Sequence, residues 1–271
     1  MSMLRDLLSL TGNGAGGGET ILSGPGEPAA SVGIDGDMYL QVFQCPSGYK
    51  LLEKIVASGG QYVQTGVPAR PRLAVDMDFK WINTVGSDAD STLLGGTGGA
   101  TSVIYFGVNP VSTYKGYYAK WGSSFLDIKN REYTERHCVK VVVDQNNQQI
   151  TEDGNAIYLS TSNITLSTGA NNLTIFARNG SSAFFGGELY RLKIYDLIDN
   201  GKLIRDFVPV KRISDNEIGL YDMVNGVFYG NSGTGSFTAG DVVDEGEILA
   251  AYLKVNGAWQ TLVGSNIVDV G

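Results

Sequence analysis

The stretch "GLYDMVNGVFYGNSGTGSF", Gly219–Phe237, decides the fold. Its second half, "GNSGTG" (Gly230–Gly235), first suggests a loop that cradles phosphate. Such a loop reads Gly-x-x-x-x-Gly-Lys-(Ser/Thr) between a strand and a helix. No Lys follows Gly235, and no helical period follows either. The Asn225-Gly226 pair instead predicts a type I′ hairpin turn between "LYDMV" and "VFYG". In an unbroken strand, Leu220 and Asp222 share one face and Tyr221 and Met223 the other. An apolar set split in this way predicts burial on both sides. "GNSGTGSF" then reads as a glycine-rich turn that reverses the chain and packs closely.

Upstream segments repeat the strand signal. In "LAVDMDFKWI", Leu73, Val75, Met77, Phe79 and Trp81 alternate with Asp76, Asp78 and Lys80, the pattern of a half-buried antiparallel strand. "HCVKVVVD" reads as a second strand, and Asp153-Gly154 as the turn before a returning one. "NLTIFAR" places Leu173, Ile175 and Ala177 on one face. "ELYRLKIYD" sets Tyr190, Leu192 and Ile194 against Arg191, Lys193 and Tyr195. No segment between residues 49 and 240 sustains a 3.6-residue period, so an all-β antiparallel sandwich is expected. Residues 1–48 are rich in Gly and Pro, and residues 241–271 form a short tail. Leu4, Leu7 and Leu8 are spaced for a helical turn, which suits either a docking helix or a frayed terminus.

Composition narrows the function. With 42% hydrophobic and 10% aromatic residues, the 271-residue chain can bury a core. Its 37 glycines, alongside abundant Tyr and Phe, fit many short strands and turns. Net charge is −8, and the basic runs "KNREYTERH" and "VKR" are short and mixed with acids. Nucleic acid is therefore not expected as a partner. No run approaches the ~18–20 apolar residues of a membrane span, and the N-terminus makes a poor secretion signal. Cys45 and Cys138 lack metal spacing and read as buried free thiols.

Several motifs in order carry a family resemblance. "LLEKIVASGGQYVQTGV" holds a Leu-x-x-Ile-x-x-Ser-Gly-x-Gln-Tyr-Val-x-Thr-Gly string from Leu52 to Gly66. "LAVDMDFKW", "RHCVKVVVD", "LTIFARN" and "GGELYRLKIYD" follow, and Gly201–Gly240 closes the series. Residues 50–240 thus resemble the concanavalin A-like (laminin G-like) jelly-roll domains found in bacteriophage tail fibres and other virion appendages. "NPVSTYKGYYAKWGSS" does not align with that pattern. "SVGIDGDMYLQV" and "AYLKVNGAWQTL" are similar to small hairpin modules of phage structural proteins. The resemblance implies a concanavalin A-like sandwich with β-hairpin modules at both ends. It implies a virion location, a homo-oligomer (a trimer by analogy with fibres), other virion proteins as partners, and a host-surface glycan as ligand; a purely structural virion component, then a bacterial surface adhesin and last a glycan hydrolase are the alternatives.

Each candidate chemistry has a plainer reading beside it. Glycoside hydrolysis needs two carboxylates flanking the bond, and glucanase sandwiches present a Glu-x-Asp-x-(x)-Glu string that is missing here. Asp76 and Asp78 read as a solvated outer face. His137, the only histidine, precedes Cys138; strand neighbours point to opposite faces, so the two cannot form a dyad. The resemblance makes that histidine structural, and no catalytic residue is expected. Calcium is the one cofactor left open, at Asp35–Asp37 and Asp88–Asp90, where turn chemistry is the simpler account. For sugar, the richest stretch is Tyr105, Asn109, Tyr114, Tyr117, Tyr118 and Trp121. Such aromatics stack on rings, and core packing could use them equally.

Overall fold

A computed structural model describes residues 21–24, 28–42, 45–82, 91–96, 103–110, 115–122, 124–131, 134–165, 168–169, 171–180, 182–243 and 248–263. These residues form strands joined by turns, without a helix long and apolar enough to cross a membrane. The first strands are β1 (Ile21–Gly24), β2 (Met38–Val42), β3 (Tyr49–Leu51), β4 (Ile55–Ala57), β5 (Val63–Pro68) and β6 (Leu73–Trp81). Next come β7 (Ser91–Gly96), β8 (Ile104–Asn109), β9 (Gly116–Trp121) and β10 (Ser124–Lys129). Then follow β11 (His137–Asp144), β12 (Asn147–Glu152), β13 (Asn155–Ser160), β14 (Asn172–Ile175) and β15 (Gly187–Asp196). The last are β16 (Lys202–Arg212), β17 (Ile218–Asp222), β18 (Val227–Tyr229), β19 (Thr238–Ala239), β20 (Ile248–Val255) and β21 (Ala258–Val263).

Residues Pro46–Val243 make one compact unit, an antiparallel β-sandwich as expected. One layer is a six-stranded sheet in the order β10-β9-β8-β7-β14-β5. The other has eleven strands, with β13-β12-β11-β6-β15-β16-β17-β18 as its main path. The alternation read in β6 holds: Leu73, Val75, Met77, Phe79 and Trp81 are all buried. Phe79 meets Phe106 and Tyr117 of the opposite sheet edge-on, at 6.1 and 6.2 Å between ring centroids. Such contacts add to area burial in holding two layers together.

Four local readings change. The Asn225-Gly226 turn is not type I′, since only Gly226 has positive φ (69°). The cause is Asp222, whose buried carboxylate accepts from the amides of Asp206 and Val224, both at 3.0 Å, and from Asn225 Nδ2 at 2.6 Å. A wider four-residue turn wraps around that acceptor. In β15 the register shifts between Leu189 and Arg191, and this bulge moves Tyr190 to the outer face. Leu189, Leu192 and Ile194 face the core instead. After Ile175 the strand stops, because Phe176 turns to φ 70° and enters the core itself. The cysteines are not buried as expected: Cys45 is half-buried, and Cys138 is exposed because alternation in β11 gives the core side to Val139, Val141 and Val143.

Residues 1–45 and 244–271 form the second unit. Its described strands make one sheet, β1-β2-β20-β21, instead of separate hairpins at the two ends. β1 runs parallel to β2, and β2 pairs antiparallel with β20, so strands more than 200 positions apart share a ladder. The C-terminal hairpin is present and turns on Asn256 and Gly257, both with positive φ. Lys254 is buried and its ammonium donates to the carbonyls of Ala30, Val32 and Gly33 at 2.6–2.9 Å. The leucines at positions 4, 7 and 8 lie outside the described residues.

Removing the Asp222 carboxylate strands two backbone amides. Asp222→Ala should lower stability by about 3 kcal/mol, read from the denaturant midpoint, with Asp222→Asn losing less. Acid should weaken the fold as well. Burial works to raise the Glu188 carboxyl, but hydrogen bonds from Lys54 and Tyr190 outweigh it and hold the group below its ordinary 4.5. Burial likewise opposes Arg70 and two backbone amides at Asp196, yet that carboxyl stays below 3.8. A depressed folded value adds stability above the unfolded value and loses it as pH falls through the folded one. Melting temperature should therefore drop below about pH 4.5, and Lys54→Met should flatten that drop.

Candidate functional site

Strand register organises the outer face of the six-stranded sheet into rows. The first row crosses β10, β9, β8 and β7 as Phe125, Lys120, Tyr105 and Gly95. The second is Asp127, Tyr118, Gly107 and Thr92. The third begins Lys129, Gly116 and Asn109. The alternate residues Ile104, Phe106, Val108, Tyr117, Ala119 and Trp121 face inward and belong to the core. The segment without a counterpart in the resemblance thus contains a regular strand, β9.

Two tyrosines form a rigid bed on this face. Tyr118 is fully buried and shares a hydrogen bond with the Thr92 hydroxyl. Tyr105 meets Tyr118 edge-on at 5.5 Å and carries the Arg178 guanidinium 4.3 Å above its ring. Phe125 lies nearly parallel to Tyr118, with centroids 6.3 Å apart, and is 51% exposed. Beside it, Asp127 Oδ1 is buried and has no hydrogen-bond partner among the described residues. A buried acceptor left unpaired costs free energy. Lys120 stands between Phe125 and Tyr105, half-exposed and without an ion-pair partner among the described residues.

Of the residues expected to contact sugar, Tyr105, Asn109 and Tyr118 reach this face. Tyr117 and Trp121 do not: strand alternation turns them into the core, where Trp121 packs on Tyr158 and the Tyr117 hydroxyl donates to Glu152 at 2.6 Å. Tyr114 lies outside the described residues. The aromatic count missed Phe125, Asp127, Lys120 and Arg178. The period-two pattern of "SFLDIK" could have found the first two, because Leu126 and Ile128 take the core side and leave Phe125 and Asp127 outside.

The other chemistry-bearing groups are engaged in structure. His137 Nδ1 lies 2.8 Å from Asp153 Oδ2, and the Cys138 amide donates to Asp153 Oδ1 at 2.9 Å. Burial opposes these contacts, yet they hold the Asp153 carboxyl below its usual value. The Cys138 thiol is pushed up to about 11 by partial enclosure of its sulfur beside Asp78 and Asp153, which disfavours a thiolate nucleophile. Buried Glu152 is paired with Arg131. On the outer face of the larger sheet, Arg136 grips Asp78 at 2.7 and 2.8 Å, and Lys140 lies 3.6 Å from Asp76. Asp35 and Asp37 accept from the amides of Gly257 and Ile34, as turn residues do. The pair Asp88 and Asp90 lies outside the described residues.

No protein-family model matches the chain. No curated protein matches it either. Among solved structures, a candidate carbohydrate binding protein of Bacteroides ovatus aligns over 79% of this chain and 71% of its own, with 12% identity and a TM-score of 0.48. Domain 4 of AbnA, a GH43 extracellular arabinanase from Geobacillus stearothermophilus solved with arabinotriose, aligns over 52% and 70%, with 15% identity and a TM-score of 0.36. The LG4-5 domains of the mouse laminin α1 chain align over 58% and 42%, with 13% identity and a TM-score of 0.32. Likenesses this distant carry no function over to this chain.

The face depends on glycine at its centre. A Cβ on Gly107 would sit 2.2 Å from the Ser91 carbonyl oxygen and 2.8 Å from the Tyr118 hydroxyl. Gly107→Ala should cost about 2 kcal/mol and lower the melting temperature by roughly 5 °C.

Proposed function

We propose that this protein is a non-catalytic virion appendage component that binds host-surface carbohydrate on the outer face of its six-stranded sheet. One observation carries the binding: the ring of Phe125 is 51% exposed and lies nearly parallel to the buried, hydrogen-bonded Tyr118 on the outer face of the sheet. A sugar ring presents an apolar C–H face for stacking. Tyr118, immobile beneath Phe125, keeps that platform in place, which lowers the entropy cost of binding.

The particle assignment is supported by the order of motifs from Leu52 to Gly240 and by the phage-like flanking segments. The unit built from both chain ends would serve as the attachment piece, joining other virion proteins or sister chains in a homo-oligomer, a trimer by analogy with fibres. A purely structural role is the second reading. It is favoured by the near-complete burial of Tyr105 and Tyr118, at 6% and 0% exposure, which makes them packing residues first.

A glycan array with the soluble protein separates the two. Binding should appear and should fall at least about tenfold in Phe125→Ala, with the melting temperature unchanged because that ring is half in solvent. A flat array would leave the structural role.

A further inference from the structure

The described side chains on the outer face of the six-stranded sheet include more cations than carboxylates, in a chain that is acidic as a whole. Among the described residues of its rows and their cover, Lys120, Lys129 and Arg178 stand against one carboxylate, Asp127. The whole chain carries −8. The cations are also placed in sequence along the rows. Lys120 pairs across the strands with Phe125 on one side and Tyr105 on the other, and Arg178 lies over Tyr105. With strands about 4.8 Å apart, a chain stacked on Phe125 and running across them meets an ammonium after one strand and a guanidinium after two. Two similar features elsewhere offer no such opening. On the larger sheet, Lys54, Arg136 and Arg191 are each paired, with Glu188, Asp78 and Asp206. The half-buried stack of Tyr49 on Phe228 has Arg212 above it, already bound by Asp215 and Glu217.

We infer that this face selects acidic glycans, whose sugars bear carboxylate or sulfate groups, over neutral ones. The inference rests on the glycan-binding reading above and adds the substrate class. One sugar would stack on Phe125, and the acidic group of a neighbouring sugar would pair with Lys120. Arg178 is held flat by Tyr105, so its charge stands pre-oriented beside that path. The acid on the ligand replaces the negative partner that Lys120 does not have among the described residues. On an acidic protein such a patch also steers anionic chains to one face and away from the rest.

The test is affinity electrophoresis of the full-length protein. Polygalacturonate, alginate and hyaluronan are each run beside their carboxyl-reduced forms, and dextran sulfate beside dextran. At least one acidic form should retain the protein about tenfold more strongly than its neutral counterpart, and added salt should erode the difference. Whether the carboxylate or the sulfate arm responds identifies the group. Lys120→Gln should remove most of the preference, whereas Phe125→Ala should weaken acidic and neutral binding alike, with thermal melts confirming that both variants fold. Equal retention of neutral and acidic forms, still sensitive to Phe125→Ala, overturns the acid selectivity and leaves glycan binding standing. Retention by no polysaccharide overturns both. Retention unaffected by either substitution places binding elsewhere and overturns this site.

Discussion

The sandwich depends on a lock between two glycine-rich segments that are far apart in sequence, residues 58–62 and 230–236. Asn231 Oδ1 accepts from the Tyr62 amide at 3.1 Å and from Gly233 at 2.9 Å, while Thr234 and Ser232 donate their amides to the carbonyls of Gly60 and Tyr62. Gln61 caps the arrangement by donating to the Ser236 carbonyl. The approach is so close that a Cβ on Gly233 would fall 2.0 Å from the Gly60 oxygen. Glycine is required because no side chain fits between the two backbones. This lock sits just before β5, in the six-stranded sheet, and just before β19, in the larger one, and it drops Phe237 into the core against Phe176 at 5.5 Å. Both segments fall within the motifs that carry the family resemblance. Those motifs are recognisable because they close the fold.

Strands with one wet face were legible in the sequence, for a physical reason. In β6 and β11 the period of two is written in side chains of opposite polarity, and burial follows it residue by residue. β15 was legible as a strand and misread in phase: a bulge adds one residue without changing the local polarity pattern, and it takes a neighbouring strand to show it. The type I′ signature at Asn225-Gly226 failed through tertiary override, since a buried carboxylate three residues before Asn225 offered more hydrogen bonds than the tighter turn could use. The same signature succeeded at Asp153-Gly154, where both residues have positive φ and the loop is two residues long. Pairing of β2 with β20 could not be read at all, because nothing local records a partner two hundred residues away.

The two outer faces of the sandwich divide the chemistry between them. The larger sheet carries ladders of opposite charges, Lys54 with Glu188, Arg136 with Asp78 and Arg191 with Asp206, with Tyr190 lying 3.8 Å under the Arg136 guanidinium. Each of these three cations has its counter-charge, although Asp76 Oδ1 on the same sheet is also buried without a hydrogen-bond partner among the described residues. The six-stranded sheet is built otherwise. Its glycines at 95 and 107 leave room for the Thr92 side chain and the Ala177–Arg178 backbone, and for the Ser91 carbonyl and the Tyr118 hydroxyl, and its single described carboxylate keeps one oxygen unpaired. Residues left unsatisfied on a rigid layer are where recognition is expected.

The aromatic residues that composition alone would nominate for sugar contact therefore have a different task. Tyr118, with its hydroxyl tied to Thr92, cannot rotate to meet a ligand, and Tyr105 is roofed by Arg178. What they supply is immobility. A phenylalanine standing alone on an edge strand would lose rotamer freedom on binding, and the sugar contact would have to offset that loss. Backed by a parallel ring that is itself locked by a hydrogen bond and an edge-on neighbour, Phe125 has lost much of that freedom already. In the proposed binding mode the two tyrosines would act through Phe125, and their truncation would weaken binding by loosening the platform while leaving every direct contact to the ligand in place.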